Sequence, residues 1–474
     1  MGKKVVAAGF VAAGAGLLYA AEMKPRHTIP AAASDGPGRR KVVIIGGGWG
    51  GIYTALELEK LLRPGEGIDV TLISRDNSFL FTPMLPEVAA SAISTHDIVN
   101  PIRLLLKRTR FINGEVDEVN IEGSHVCVTL TDQSRHEVRY DHLVLALGAE
   151  TNFFNLPGMK EHAINVKTLS GAVQLRNHVI DRLEQADVLS GEDRRRVCTF
   201  VLCGGGLNGV EVMGGLNDYV REAVHAYPRI PAGEIRTILV EAGSRLMPEM
   251  DQKLADFTRL TLEQRGVEVL LNTAVTSAEA GAVHLANGRT IPCGTIVWSA
   301  GVRPAGLVNH LPLKRDRWNR IVCDGTMRVE GHSNIWSLGD VAHVPRPGGG
   351  ENDIYPATAQ HALREAFQLG KNIVAVLRGG EPVAFDYPIK VALATVGHRV
   401  GVASIMGFQF SGLLPWWLWR TYYLARLPRT ERRLRVTIDW TLDLFFPRDI
   451  VTLPVGKRTV PELPPAQEHR ASLS

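Results

Sequence analysis

Lys41–Gly51, KVVIIGGGWGG, runs an uncharged β-branched strand straight into five glycines in six residues. The same device returns at Phe200–Gly209, FVLCGGGLNG. In each, three glycines keep the spacing Gly-x-Gly-x-x-Gly: Gly46, Gly48 and Gly51, with Gly50 between the last two, and then Gly204, Gly206 and Gly209. After the first loop, GIYTALELEKLLRPG places Ile52, Ala55, Leu56 and Leu62 at helical spacing, and IDVTLIS reads as a second strand. This is a βαβ unit, and a buried parallel strand is expected to be apolar throughout. The glycines permit the tight turn, let backbone approach a pyrophosphate and leave room for helix against strand, while the N–H groups at the helix start hold the anion.

A dinucleotide fold of this kind wants an acidic side chain at the end of its second strand, to accept hydrogen bonds from the adenosine ribose. After the first loop, Ser74 stands at that place and Asp76 two residues later. After the second loop, the helix VEVMGGLNDYVREAV and the strand RTILVEAG lead to Glu241. A carboxylate there binds both ribose hydroxyls of NAD and repels the 2′-phosphate of NADP. The long spacing from Gly209 to Glu241 is absorbed by HAYPRIPAGE, read as a surface insertion. Two such folds in one chain point to two dinucleotides: a bound FAD, and NADH as a diffusing substrate that passes hydride to it.

The chain has 474 residues, 45% hydrophobic and 22% charged, as expected of two or three globular domains. A net charge of +4 on this length gives no reason to expect nucleic acid as a partner. The five cysteines are scattered and odd in number, so no disulfide framework is implied. There is neither an HExxH nor a paired CxxC motif, and no metal site is assigned.

Three more segments sharpen the reading. They are YDHLVLALGAETNFFNLPG with Gly148, TIVWSAGVRP with Gly301, and SNIWSLGDVAHVP with Asp340. With both glycine loops, they resemble the flavoproteins that carry two dinucleotide-binding domains, over roughly residues 41–375. Within that superfamily the chain resembles the type II NADH:quinone oxidoreductases, through SRDNSFLFTPMLPEVA (Ser74–Ala89), GGGLNGVEVMGGLNDYV (Gly204–Val220), YPATAQHA (Tyr355–Ala362) and GLLPWWLWRTYYLARL (Gly412–Leu427). The resemblance implies that Pro83 lies over the flavin and that Asp340 accepts a hydrogen bond from the ribityl chain. It also implies that Glu211 sits near flavin and nicotinamide, and that Ala359 and Gln360 lie by the flavin on the quinone side. Glu211 and Gln360 are the expected catalytic residues, for positioning or proton supply.

The chain departs from the family twice. Gly206-Leu207-Asn208-Gly209 replaces the usual Gly-Pro-Thr-Gly, and Arg364-Glu365 replaces a Gln-Gln pair that lines the family's quinone pocket. That charged pair can also be read as a solvated helical pair. The disulfide reductases are disfavoured, because no cysteine pair follows the first βαβ unit. The rival functions are a related FAD-dependent reductase with a non-quinone acceptor, and a low-turnover nucleotide-binding sensor at a membrane.

Phe408–Trp440 gathers Trp416, Trp417, Trp419 and Trp440 with Tyr422, Tyr423 and six arginines. Aromatics among arginines favour the headgroup boundary, so this segment is expected to lie along a membrane surface that a lipid-phase quinone can cross. The competing readings are an apolar interface that would make the chain a homodimer and a helix packed on the core. The uncharged run Val5–Ala21 reads as an anchor or signal-like segment, and its basic flanks lean towards a main body on the cytoplasmic face.

The expected fold is thus α/β, with two Rossmann-like dinucleotide-binding domains, the NADH domain inserted in the FAD domain, and a C-terminal membrane-associated segment. The divisions are 1–40 (anchor and linker), 41–160 (FAD, first part), 161–295 (NADH), 296–375 (FAD, second part) and 376–474 (membrane association and dimerisation).

Overall fold

Two parallel sheets, each begun by a glycine-loop strand, organise the chain in a computed structural model that describes residues 38–350, 353–388 and 391–453. The run Val5–Ala21 lies outside the described residues. Among those residues, no helix is long and apolar enough to cross a membrane.

The first part of the chain supplies β1 (Arg40–Ile45), α1 (Trp49–Leu61), β2 (Ile68–Ser74) and the short α2 (Leu85–Ala89), then β3 (Arg110–Asn120), β4 (His125–Leu130), β5 (Arg135–Arg139) and β6 (His142–Leu145). The middle part supplies β7 (Ile164–Asn165), α3 (Leu169–Val188), β8 (Thr199–Cys203), α4 (Leu207–Ala223), β9 (Arg236–Val240), β10 (Val267–Leu270) and β11 (Thr295–Trp298). The last part supplies β12 (Ile335–Ser337), α5 (Ala359–Leu377), the antiparallel β13 (Val391–Thr395), β14 (Gly401–Ile405) and β15 (Phe408–Gly412), and finally α6 (Leu413–Arg426) and α7 (Thr430–Leu442).

The first sheet runs β12-β6-β1-β2-β3-β4-β5, and its five strands from β12 to β3 are parallel. The second runs β7-β11-β8-β9-β10, all parallel. The first sheet is completed only by β12, which follows the whole second sheet in sequence. The second unit is therefore inserted in the first, as the sequence led one to expect. Two short strands, Ala149–Thr151 and Val302–Pro304, pair antiparallel where the chain leaves and re-enters the first unit.

Strand chemistry accounts for the sheets. Val42–Ile45 and Thr199–Cys203 are buried at every position, as strands covered on both faces must be. α5 buries Ala366, Leu369 and Ile373 at helical spacing, and the Thr358 side chain caps its start by accepting from His361 N. α5 packs closely on α1: a Cβ on Gly370 would lie 2.9 Å from Glu57 Cβ. A side chain there would push the two helices apart.

The C-terminal segment departs from the single interfacial helix read in the sequence. It folds as a strand and two helices, and three of its four tryptophans face protein rather than solvent. Trp416, Trp419 and Trp440 are buried, and so is Arg420, which lies over the Trp416 and Trp440 rings at 4.1 and 4.7 Å. The reason is helical spacing: positions 416, 419, 420 and 423 share one face of α6, which packs on β13 and β14. Position 417 is turned away, and Trp417 is 57% exposed. It belongs to an exposed apolar group with Phe408, Phe410, Leu413 and Leu414.

Candidate functional site

The two glycine loops are built alike, down to single atoms. Gly46 N donates to Ile73 O and Gly204 N to Val240 O, both at 2.8 Å. Both glycines have strongly positive φ, +115° and +111°, which an L side chain rarely adopts. The last glycine of each loop, Gly51 or Gly209, could carry a Cβ only 1.9 Å from the carbonyl oxygen of the first. The middle glycines, Gly48 and Gly206, differ: nothing in the protein lies within 4 Å of where their Cβ would be. Each is also the N-cap of its helix, with no side-chain cap and no acidic residue in the first turn. Unpaired N–H groups thus face open space at the positive end of a helix dipole, which is the chemistry of a phosphate seat.

The loops differ in what stands beside them. Ser74 is buried at the end of β2, and its Oγ would lie 2.5 Å from a Cβ on Gly47. Asp76 does not join it: it points to solvent beside Arg75, at 3.7 Å. Glu241, at the equivalent place after β9, accepts from Gly205 N at 2.5 Å and Gly243 N at 2.6 Å. It is held against the second loop as a fixed anionic acceptor.

Most of the other expected residues converge on the first loop. The turn at Ala146–Gly148 packs on Gly46, whose Cβ would lie 2.2 Å from Ala146 O. Gly148 itself has φ +67° and open space beside it. Leu338 closes over Gly50, where a Cβ would lie 3.1 Å from Leu338 Cγ, and this brings the Gly339–Val341 turn, with Asp340, next to the loop. Asp340 Oδ2 lies 3.5 Å from Lys167 Nζ. Ala359 and Gln360 begin α5, which abuts this turn; Ala362 Cβ lies 3.4 Å from a Cβ on Gly339. Pro83 sits in the turn Thr82–Met84, held to α1 by a 3.0 Å hydrogen bond from Trp49 Nε1 to Thr82 Oγ1. Gly301 sits instead against the Phe154 ring, at the crossing between the two sheets.

A phosphate seat, a buried hydroxyl at the ribose position and a carboxylate on the Gly-Asp turn all belong to one loop. They fit a flavin dinucleotide at the first loop. The second loop with Glu241 fits NADH.

Glu211 joins the second unit to the C-terminal region. It leaves the second turn of α4 and accepts from Thr395 N on β13 at 3.1 Å. Burial pushes its carboxyl up to about 8. From its neighbourhood a run of aromatic rings leads back to the first loop: Trp419 to Tyr423 (4.7 Å), Tyr423 to Phe81 (6.1 Å) and Phe81 to Trp49 (5.1 Å).

The Arg364-Glu365 pair is not a solvated helical pair. Glu365 is buried and accepts from Gly339 N at 2.6 Å, and burial pushes its carboxyl up to about 7. Arg364 turns the other way and lies over the Tyr387 ring at 5.2 Å. Tyr387 is also bonded by Gln360 Nε2 at 3.2 Å. Burial raises its phenol, but hydrogen bonds from Gln360 and Arg364 outweigh this and leave it below the usual tyrosine range. Tyr387 gave no signal in the sequence, being far from Gln360 along the chain. Glu87 did give one, as the lone charge in the apolar run MLPEVAA, and its side chain proves to be only 12% exposed. The five cysteines are unpaired; burial pushes Cys198 up to about 11 and Cys293 up to about 12, and it also raises Cys203 and Cys323.

Residues 40–366 match the pyridine nucleotide-disulphide oxidoreductase family, and residues 390–449 match the NDH2 C-terminal domain. A relative from Dictyostelium discoideum, named "Probable NADH dehydrogenase", is 33% identical over 86% of this chain and 90% of its own length. The type II NADH:quinone oxidoreductase NdhA of Mycobacterium tuberculosis is 31% identical over 85% of this chain and 87% of its own. Among solved structures, NDH2 from Plasmodium falciparum in complex with NADH superposes with a TM-score of 0.80 at 22% identity, covering 87% of this chain and all of that one. That likeness supports the fold; the sequence matches establish the relationship. The chain belongs to the type II NADH:quinone oxidoreductases, FAD-dependent enzymes within the pyridine nucleotide-disulphide oxidoreductase family.

Proposed function

We propose that this enzyme works at a membrane surface, where it oxidises NADH and reduces a lipid-phase quinone without moving protons across the bilayer. The observation that carries the proposal is the exposed apolar group at the start of α6. Phe408, Leu413 and Trp417 are 68%, 61% and 57% exposed on adjoining elements of the region that also holds Glu211's partner strand. Contiguous exposed apolar surface on a soluble fold marks a contact site. Each such side chain gains on the order of 1.5–3 kcal/mol when fully buried. An apolar interface between two copies is the reading it must outcompete.

In this reading the domains divide as 41–160 and 296–375 for FAD, 161–295 for NADH, and 376–474 for membrane contact. Gly46, Gly48, Gly50 and Gly51 seat the FAD pyrophosphate, and Ser74 takes the ribose. Gly148, Pro83, Asp340 and Ala359 border the remainder. Gly204, Gly206, Gly209 and Glu241 hold NADH, with Gly301 at the crossing. Bound FAD supplies a ring that accepts hydride from NADH and releases two electrons to quinone. The protein's work is to align the donors and acceptors, which for hydride transfer supplies most of the rate. Glu211, partly buried and with its carboxyl pushed up to about 8, holds a proton for the acceptor side. Gln360, fixed by Tyr387, positions the quinone. Arg364, which replaces a neutral residue of the family pattern, sits on that same tyrosine and biases the acceptor pocket towards a polar headgroup.

The test uses vesicles carrying the enzyme on their outer face, with quinone in the bilayer and a pH dye inside. NADH oxidation should depend on the quinone and leave the lumen pH unchanged. Internal acidification coupled to turnover, or equal rates with a water-soluble acceptor and no vesicle binding, would refute the proposal.

A further inference from the structure

α2 and α4 meet across a cavity of about 30 Å³. Its walls include Glu87, Glu211, Asp218, His398, Arg420 and Arg448. Such a volume with this many polar groups suits one or two hydrogen-bonded waters. Arg420 is buried, and its Nε has no hydrogen-bond partner in the protein.

Each of the two glutamates is tethered by one oxygen. Glu87 Oε2 accepts from Trp440 Nε1 at 2.7 Å, and its Oε1 is 3.6 Å from Arg420 Nη2, beyond hydrogen-bond reach. Glu211 Oε1 accepts from Thr395 N. Helices α2 and α4 approach closely at Gly215, where a Cβ would lie 3.0 Å from Ala90 Cβ.

The guanidiniums are largely committed elsewhere. Arg265 pairs with Asp218, and Arg448 Nε bonds Asp443 Oδ1 at 2.9 Å while also facing the half-exposed Glu222 at 3.7 Å. Arg420 is shared as well, between Glu87 and Asp443, at 3.6 and 3.7 Å. Glu87 thus shares its cation with Asp443, while the partly buried Glu211 makes no ion pair among the described residues, and such a site favours keeping a proton on one of the two. Burial raises both carboxyls; the charge of Asp443 pushes Glu87 further up, and that of Glu87 does the same to Glu211. His398, 26% exposed and 3.8 Å from Asp443, forms the cavity's more open side.

The overall reaction, NADH + quinone + H⁺ → NAD⁺ + quinol, takes one hydrogen from NADH as hydride and one proton from water. We propose that Glu87 and Glu211 pass that proton inward across this cavity, with His398 at its outer mouth. The proposal rests on the reading of Glu211 as the proton-holding group.

The experiment uses the FAD-loaded enzyme and the variants Glu87→Gln, Glu87→Asp, Glu211→Gln and His398→Gln. Infrared difference spectra, reduced minus oxidised, should contain a carboxylic-acid band that moves in heavy water. Glu87→Gln and Glu211→Gln should each remove part of it. In Glu87→Gln, reoxidation by quinone should slow by about tenfold or more relative to flavin reduction by NADH, with a larger solvent isotope effect, and Glu87→Asp should recover part of the rate. His398→Gln should slow the same step and respond to added imidazole.

If Glu87→Gln keeps the band, the pH profile and the isotope effect while Glu211→Gln loses them, Glu87 is only an ion-pair partner and the route is wrong. If His398→Gln is neither slowed nor rescued, the route fails at its mouth. If Glu211→Gln itself reduces quinone with an unchanged pH profile, the reading of Glu211 falls with it.

Discussion

Ser74 and Glu241 stand at the same place in the two sheets. Each directly follows the residue whose carbonyl accepts from the first glycine of its loop, Ile73 for Gly46 and Val240 for Gly204. One position thus carries a small neutral hydroxyl in the first unit and a charged, doubly hydrogen-bonded acceptor in the second. The contrast matches their tasks: a resident dinucleotide is held by many contacts, whereas a diffusing one must be selected on arrival.

Glu241→Gln should therefore weaken NADH selectively. The amide can accept from only one of the two backbone donors, and its NH₂ faces the other. A hydrogen bond to a charged group is worth roughly 1.5–3 kcal/mol, so the KM for NADH should rise about tenfold or more, and discrimination against NADPH should shrink. Steady-state kinetics with both nucleotides measures the two effects.

The glycines separate cradle from scaffold. Gly209→Ala places a methyl group 1.9 Å from Gly204 O and should cost about 1–3 kcal/mol of stability or more. Gly206→Ala meets nothing in the protein, so thermal stability should change by less than about 1 kcal/mol. NADH affinity should nonetheless fall about tenfold, because the methyl group enters the path of the pyrophosphate. Equal stability losses in both variants would contradict this division.

Glu211 makes stability depend on pH. Its folded-state pKa, about 8, lies above the ordinary carboxylate value, so the native state binds more protons than the unfolded state across the interval between them. Its contribution is complete below the ordinary value and is lost as pH rises through about 8. Thermal unfolding should show a decline over that window which Glu211→Gln removes.

Replacing Leu413, Leu414 and Trp417 with serine should leave flavin binding intact, since all three are exposed. Co-sedimentation with vesicles should fall by at least about tenfold, the equivalent of roughly 1.4 kcal/mol. An unchanged partition with a loss of dimers in light scattering would assign the face to a second copy instead.

Much of this was legible in the residues themselves. Both βαβ units, the insertion of one in the other, the Gly-Asp turn and Glu241 are local or nearly local patterns, fixed by glycine sterics and by strand and helix periodicity. Arg364 and Glu365 were harder. Neighbours on a helix point about 100° apart, so Glu365 turns inward to Gly339 N while Arg364 reaches Tyr387. The tryptophans of α6 divide for the same reason: composition marked an interfacial helix, but helical spacing put Trp416 and Trp419 in the core and left Trp417 outside.

The sequence alone determined that this chain holds two dinucleotide folds, because a glycine that cannot be replaced announces itself wherever it stands. The tertiary structure decided which charges became chemistry. Glu87, Glu211, His398 and Arg420 come from four distant stretches, and only burial around a shared cavity, where water no longer screens them, turns ordinary surface residues into a possible path for a proton.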